Sequence, residues 1–288
     1  MDYDRDLNEV ILGTAAAPLI TSGWSNSIGR RLSKNFEESL DNRPKDLLMP
    51  FRPGDVVRKN TGVLQLGDDI LEVNNSPSIL VKNKMLGRLA DLAEAEADVY
   101  LSPARLAGSH TYIKPADRGP NASRSGSHVF LAPTLVNGVV HTDIPTALHE
   151  LGHAHRYDPR ASFLRRALTG DTLLRGIFRR ANSITPLLAP ILADPDDPKQ
   201  IAAALGVQTL LEAPTLAEEY LASRKANKAL KALVQDGTIS EASRALASSS
   251  LRKALMTYGS SSASRIAAVG IPLALMNDDI RSSINPFD

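Results

Sequence analysis

The spacing of apolar and polar positions divides the chain into a helical start, a mixed middle and a helical remainder. Residues 1–40 read as helix with a break at Ser22-Gly23. Between residues 42 and 76 the short pieces are punctuated by Pro44, Pro50, Pro53 and Gly54, and Gly67-Asp68-Asp69 and Asn74-Asn75 read as turns. Val63-Leu64-Gln65-Leu66 and Ile70-Leu71-Glu72-Val73 read as short strands. Ser76 as N-cap and Pro77 at the first helical position predict a long helix running to about Tyr100. Residues 107–127, rich in Gly, Ser, Pro and Arg, predict a long exposed loop. His128-Val129-Phe130-Leu131-Ala132 carries β-formers and stops at Pro133, so it is predicted as a strand. Beyond it the chain reads as nearly all helix. Residues 184–193 and 202–211 are predicted to form a helical hairpin, packed on protein, about the turn Asp194-Pro195-Asp196-Asp197-Pro198. Gly237 ends one helix, and Thr238-Ile239-Ser240-Glu241 starts the next. No internal repeat is evident.

Composition narrows the classes of function. The chain has 288 residues, enough for one large domain or two small ones with a real core. Its 33 basic and 32 acidic side chains nearly cancel, which gives no support to nucleic acid as a partner. Cysteine is absent, which removes disulfides, cysteine-held zinc and thiol catalysis. Aromatic residues make up only 5%, and Ala, Leu and Ser are plentiful, so helix is expected to outweigh sheet. Met1-Asp2-Tyr3-Asp4 is acidic where a secretory leader is basic, so no signal peptide is expected and the location reads as intracellular or peripheral to a membrane.

Three apolar stretches, residues 10–20, 184–193 and 266–276, each extend roughly 15–18 Å as helix, against about 30 Å of bilayer hydrocarbon. They predict core helices, with membrane-surface or protein-assembly contact as the alternative. Arg179 and Arg180 beside the second stretch suit anionic headgroups.

The strongest chemical signal is His149-Glu150-Leu151-Gly152-His153. Two histidines four apart on a helix share a face, so both imidazoles can reach one tetrahedral zinc ion. A glutamate beside the first histidine stands near the ion's open position, where a carboxylate can take a proton from the attacking water. The helical setting is present. Thr142 or Asp143 can cap the start, and Pro145 fits the first turn. Gly152 inside the helix costs about 1 kcal/mol relative to alanine, which a close-packed neighbouring helix would explain. His141 and His155 read as outer or surface residues.

Zinc needs a third protein ligand, and the segment from Ala213 to Ala226 offers Glu218 and Glu219. Thr215 and Glu218 have the spacing of a capping box, which would give Glu218 a local task. Glu219 shares a face with Ala222, Ser223 and Ala226, small residues that would let this helix approach Gly152. Glu219 is therefore the preferred ligand.

Over residues 128–275 the chain resembles the bacterial neutral zinc metallopeptidases of the YugP-like group, distant relatives of the gluzincins. The resemblance is carried by Phe130-Leu131-Ala132-Pro133 with Asn137-Gly138, by Ala147-Leu148-His149-Glu150-Leu151-Gly152-His153-Ala154, by Thr215-Leu216 leading to Glu219, Ala222-Ser223-Arg224 and Ala226, and by Leu251 to Tyr258. It implies a mainly α (α+β), zincin-like metallopeptidase core with a small β element before the metal-binding helix. It also implies zinc held by His149, His153 and Glu219, with Glu150 as general base and Ser223 hydrogen-bonded to a zinc-binding histidine. Tyr258 matches a family position and is expected to be a buried tyrosine. Members of that group carry membrane-spanning helices where this chain has short pieces broken by Pro190, Asp194 and Arg265. Residues 1–120 have no counterpart and are read as a separate region, with the peptidase domain at 121–288.

The function expected is hydrolysis of peptide bonds in a peptide or protein substrate, with strand 128–132 pairing to the extended substrate. A nearby Tyr or His would help hold the oxyanion. The rival is a structural or interaction protein, such as a component of a larger assembly or virion, that keeps a peptidase fold without turnover.

Overall fold

The computed structural model describes residues 43–60, 64–66, 69–71, 78–101, 110–113, 127–136, 139–154, 181–182, 184–186, 188–189 and 191–277. The predicted helix of residues 1–40, Gly67-Asp68, Asn74-Asn75, Asn137-Gly138 and His155 lie outside them. The fold is α+β, with helix outweighing strand. The chain divides into two compact units whose segments alternate in sequence. One takes the described residues of 38–172 and 218–255, the other those of 173–217 and 256–277.

The first unit holds all ten described strands. These are β1 (Leu48–Phe51), β2 (Val56–Asn60), β3 (Leu64–Leu66), β4 (Asp69–Leu71), β5 (Ser78–Val81), β6 (Ala97–Leu101), β7 (His110–Ile113), β8 (Ser127–Leu131), β9 (Thr134–Val136) and β10 (Val139–Asp143). Two short helices, α1 (Lys84–Leu92) and α2 (Ile144–His153), precede two long ones, α3 (Pro198–Gln235) and α4 (Glu241–Met276). The main sheet has the order β2-β5-β6-β8-β7, a second sheet has β1-β10-β9, and β3 and β4, which fall in the two segments read as short strands, pair with each other. β6 and β8 run parallel, while every other pair is antiparallel.

The long helix predicted from Ser76 to Tyr100 is instead strand, helix and strand. Ile79-Leu80-Val81 and Val99-Tyr100-Leu101 are β-forming runs that pair in register, Ile79 with Leu101 and Val81 with Val99. Helix begins only after Asn83, whose side chain accepts from the Leu86 amide at 2.7 Å. It ends before Glu94, a non-glycine residue at φ 54°. The predicted loop 107–127 likewise contains β7, because pairing with β8 gives His110–Ile113 a ladder. β8 agrees with its prediction, but β6 takes one of its edges and β7 the other. It has no edge left for a substrate, so that expectation is withdrawn.

The core of this unit is one apolar cluster. It joins Leu47, Met49 and Phe51 to Val99, Leu101, Val129 and Leu131 on the strands. From the helices it takes Leu86, Leu89, Ile144, Leu148, Leu151, Ala226, Leu230 and Leu233. Leu148 and Leu151 are completely buried, each stabilising by roughly 2 kcal/mol.

In the other unit the predicted hairpin is present. Residues 181–192 are helical where described, a turn follows at 195–196, and α3 starts at Pro198. Its arms are not fully packed on protein. Ala189, Val269 and Leu273 form a small buried cluster, while Ile184, Leu188, Leu192, Val207 and Leu210 stay exposed. Tyr258, expected to be buried, is 39% exposed. Among the described residues, no helix is long and apolar enough to cross a membrane.

α3 runs unbroken through Pro214. The predicted capping box of Thr215 and Glu218 is therefore absent. Pro214 removes one amide donor, a local loss that the packing on both sides outweighs.

Candidate metal centre

The helix that carries the His-Glu-x-x-His run is fixed at its start. Asp143, the last residue of β10, is its N-cap: one carboxylate oxygen accepts from the Thr146 amide at 3.0 Å and from the Thr146 hydroxyl at 2.6 Å. The other oxygen meets the buried Arg43 guanidinium at 3.1 Å. Burial pushes the Asp143 carboxyl up, and the Arg43 charge and the Thr146 hydrogen bonds oppose it. Of the two caps the sequence allowed, Asp143 is the one used. α2 then packs on β7, β8 and α1, and every residue from Ala147 to His153 is buried.

The second wall of the site is α3. A Cβ built on Gly152 would lie 2.8 Å from the Ala222 carbonyl oxygen and 2.9 Å from its Cα, so only glycine lets the helices meet here. Ala222, Ala226 and Ala229 are all buried and keep the approach close over two turns. This is the close-packed neighbour that an internal glycine in α2 implied.

The contact brings together groups from the two helices. His149 Nε2 lies 3.1 Å from Glu219 Oε2, His153 Nε2 lies 3.5 Å from the same oxygen, and the two Nε2 atoms are 3.3 Å apart. The rings are nearly perpendicular, at 88°. Three acceptor-type atoms from buried side chains thus converge on one point. A zinc ion with nitrogen and oxygen ligands at about 2.0–2.1 Å in tetrahedral geometry holds its ligand atoms about 3.3 Å from one another. The observed triangle of 3.1, 3.3 and 3.5 Å matches that spacing. The buried His149–His153–Glu219 group could hold a metal ion.

Without a metal the site stores a proton. Burial pulls the His153 imidazole down, but its hydrogen bonds to the Glu218 and Glu219 carboxylates and the charges of Glu219 and Glu150 outweigh it, raising His153 to about 10. Burial pushes Glu219 up, and its hydrogen bonds and charge attraction to His149 and His153 bring it down to about 2. The histidine–carboxylate charge pair occupies the place a dication would take.

Behind the rings stand two further residues. Ser223 Oγ is 3.3 Å from His149 Nδ1, and Glu218 Oε1 is 3.3 Å from His153 Nδ1. Both are buried. Glu150 is also buried, and its carboxylate acts electrostatically on His153. Each residue the sequence singled out for the site is therefore on these two helices. What the sequence misread is Glu218, which the supposed capping box had assigned to a helix start. The β-formers of His110-Thr111-Tyr112-Ile113 were a signal for β7, passed over because Gly, Ser and Pro surround them. The Arg43–Asp143 pair has no short-range signal at all.

No protein-family model, no curated protein and no solved structure matches the chain.

Proposed function

We propose that the chain is a zinc metallopeptidase with a zincin-like core, related to the YugP-like group. The reading rests on one observation above all: His149 Nε2, His153 Nε2 and Glu219 Oε2 stand at the mutual spacing of tetrahedral zinc ligands, with Glu150 buried on the same helix. His149, His153 and Glu219 would hold the ion. When bound, zinc would supply Lewis acidity, polarising the scissile carbonyl and making the attacking water more acidic. The Glu150 carboxylate takes the proton from that water as it adds to the carbonyl carbon, then delivers it to the departing amine as the C–N bond breaks. Burial of Glu150 keeps bulk water from competing for that proton. Ser223 keeps the His149 ring oriented.

The substrate-pairing edge in this reading is β7 rather than β8. Among the described strands β7 is the last on its side of the main sheet, and α2 lies against it. An extended peptide adding to that edge would gain main-chain hydrogen bonds with little demand on sequence.

The test is elemental analysis of purified protein, followed by hydrolysis of an unfolded protein with and without a chelator. One zinc per chain is expected. Glu150→Gln should keep the zinc and lose activity about 100-fold or more. Absence of zinc after metal-replete purification defeats the reading, and equal turnover by Glu150→Gln removes Glu150 from the chemistry.

A second reading is favoured by the uncharged hairpin arms with exposed Ile184, Leu188, Leu192, Val207 and Leu210. In it the chain is chiefly an interaction protein whose arms contact partner subunits or a membrane surface. Its mark would be zinc-loaded protein that hydrolyses no peptide substrate.

A further inference from the structure

The two histidines are held from behind by different groups. His149 has a neutral hydroxyl behind it, Ser223 Oγ at 3.3 Å from Nδ1. His153 has a carboxylate, Glu218 Oε1 at 3.3 Å from Nδ1. In both rings Nε2 is the atom that faces Glu219.

We propose that Glu218 is a positioning residue: its carboxylate accepts the Nδ1 proton of His153, fixes that ring with its Nε2 lone pair toward the metal point, and makes His153 the stronger donor of the pair. The inference rests on the metal-site reading above. Three other roles for Glu218 fail on the geometry. It caps no helix, because α3 begins twenty residues earlier at Pro198 and continues through Pro214. It is not a solvated helix carboxylate, being 4% exposed. It is not the third ligand, because its oxygen meets the rear nitrogen of His153, whereas Glu219 meets both Nε2 atoms. Adjacent residues on a helix point about 100° apart, which lets one glutamate reach the front of the ligand set while its neighbour reaches behind one ring. A carboxylate hydrogen-bonded to a ligating imidazole raises its basicity and restricts its rotation, and losing such a partner lowers metal affinity by about 10–100-fold. Ser223, a neutral partner, should matter less.

The experiment is a zinc titration of the full chain against a chromophoric chelator, paired with visible spectra of the cobalt(II)-loaded protein. Glu218→Gln is expected to weaken zinc binding about 10–100-fold, still reach one metal per chain at saturation, and keep the wild-type cobalt bands. Glu218→Asp should recover part of the loss, and Ser223→Ala should cost only a few-fold. Glu219→Gln should abolish the cobalt bands. Wild-type zinc affinity in both Glu218→Gln and Glu218→Asp overturns the inference while leaving the metal site intact. Loss of the cobalt bands in Glu218→Gln with retention in Glu219→Gln also overturns it, by making Glu218 the ligand. A wild-type chain that binds no zinc removes the metal-site reading and this inference together.

Discussion

Glu212 and Glu219 stand seven residues apart on α3, and both are buried, yet each is balanced by a different kind of partner. Glu212 is enclosed by permanent or neutral donors. Arg265 reaches both its oxygens, Ser262 donates at 2.7 Å, and Asn182 donates at 2.7 Å. Gln208, fully buried, completes the cluster through Asn182. Burial pushes this carboxyl up, and the hydrogen bonds of Arg265, Ser262 and Asn182 bring it below its ordinary range. Among the described residues Glu219 meets only imidazoles, whose positive charge is a removable proton. A guanidinium cannot be exchanged for a metal ion, but a proton shared with histidine can. The comparison shows why one buried glutamate reads as a fastener between helices and the other as a ligand: the counter-charge of the first is covalently part of the protein, and that of the second is replaceable.

Removing each carboxylate charge tests this most strongly. Glu219→Gln should lose zinc and peptidase activity together. Glu212→Gln should keep one zinc per chain and destabilise the protein by roughly 1–3 kcal/mol, because the Arg265 guanidinium loses its charged acceptor. Metal analysis and denaturant unfolding separate the two outcomes. Zinc loss from Glu212→Gln alone would break the distinction.

The close approach behind Glu219 gives the next effect. Gly152→Ala forces a methyl group against the Ala222 backbone and should destabilise by about 1–3 kcal/mol while weakening zinc binding. Wild-type stability and affinity in this variant would mean that the helices need not meet so closely.

Acidity should separate the clusters further. His153 in the metal-free site is raised from 6.5 to about 10, so its contribution to stability is complete below pH 6.5 and is lost as pH rises through about 10. Glu219 is lowered from 4.5 to about 2, so its contribution is complete above pH 4.5 and is lost as pH falls through about 2. The shared contribution is therefore full between pH 4.5 and 6.5. Glu212 is also lowered, so its own contribution is lost only toward acid. The Tm of chelator-treated wild type should fall between pH 6.5 and 10, and His153→Ala should flatten that fall. Zinc affinity should rise over the same range as the His153 proton leaves. Zinc affinity that is flat across this range would mean that no proton is displaced.

The smallest effect belongs to Gly87→Ala. A Cβ at Gly87, in α1, would meet nothing within 4 Å. Alanine there should stabilise by up to about 1 kcal/mol through helix propensity, with no change in zinc binding. Thermal unfolding of Gly152→Ala and Gly87→Ala side by side then tells a glycine needed for contact from one that is not.

Much of the candidate site was legible because its information is local. His149, Glu150 and His153 lie within five residues, and helical periodicity alone puts the histidines on one face. Asp143, Pro145 and the internal Gly152 mark the start of α2 and its close neighbour in the same short stretch. The small residues one turn beyond Glu219 announced where α3 would approach. The long hairpin turn at Asp194–Pro198 and the break at Gly237 were legible for the same reason, since proline, aspartate and a positive-φ glycine act on their own backbone.

Other features depended on partners remote in the chain. Ile79-Leu80-Val81 is a strand because Val99-Tyr100-Leu101 pairs with it, and His110–Ile113 is one because β8 offers an edge. Local pattern cannot choose between helix and strand for such short apolar runs, and the hydrogen-bonding partner decides. Pro214 followed by Thr215 carries the local signs of a helix start, yet α3 passes through, because packing along its length outweighs one lost hydrogen bond. That continuity puts Glu218 behind His153 and Glu219 before both histidines. The amino-acid sequence by itself determined which side chains could hold a metal ion, since that capacity follows from residue type and helical spacing. Only the tertiary structure decided that Glu218 stands behind His153 instead of starting a helix, because the direction of a side chain depends on the phase of its helix against a neighbour 65 residues away in sequence.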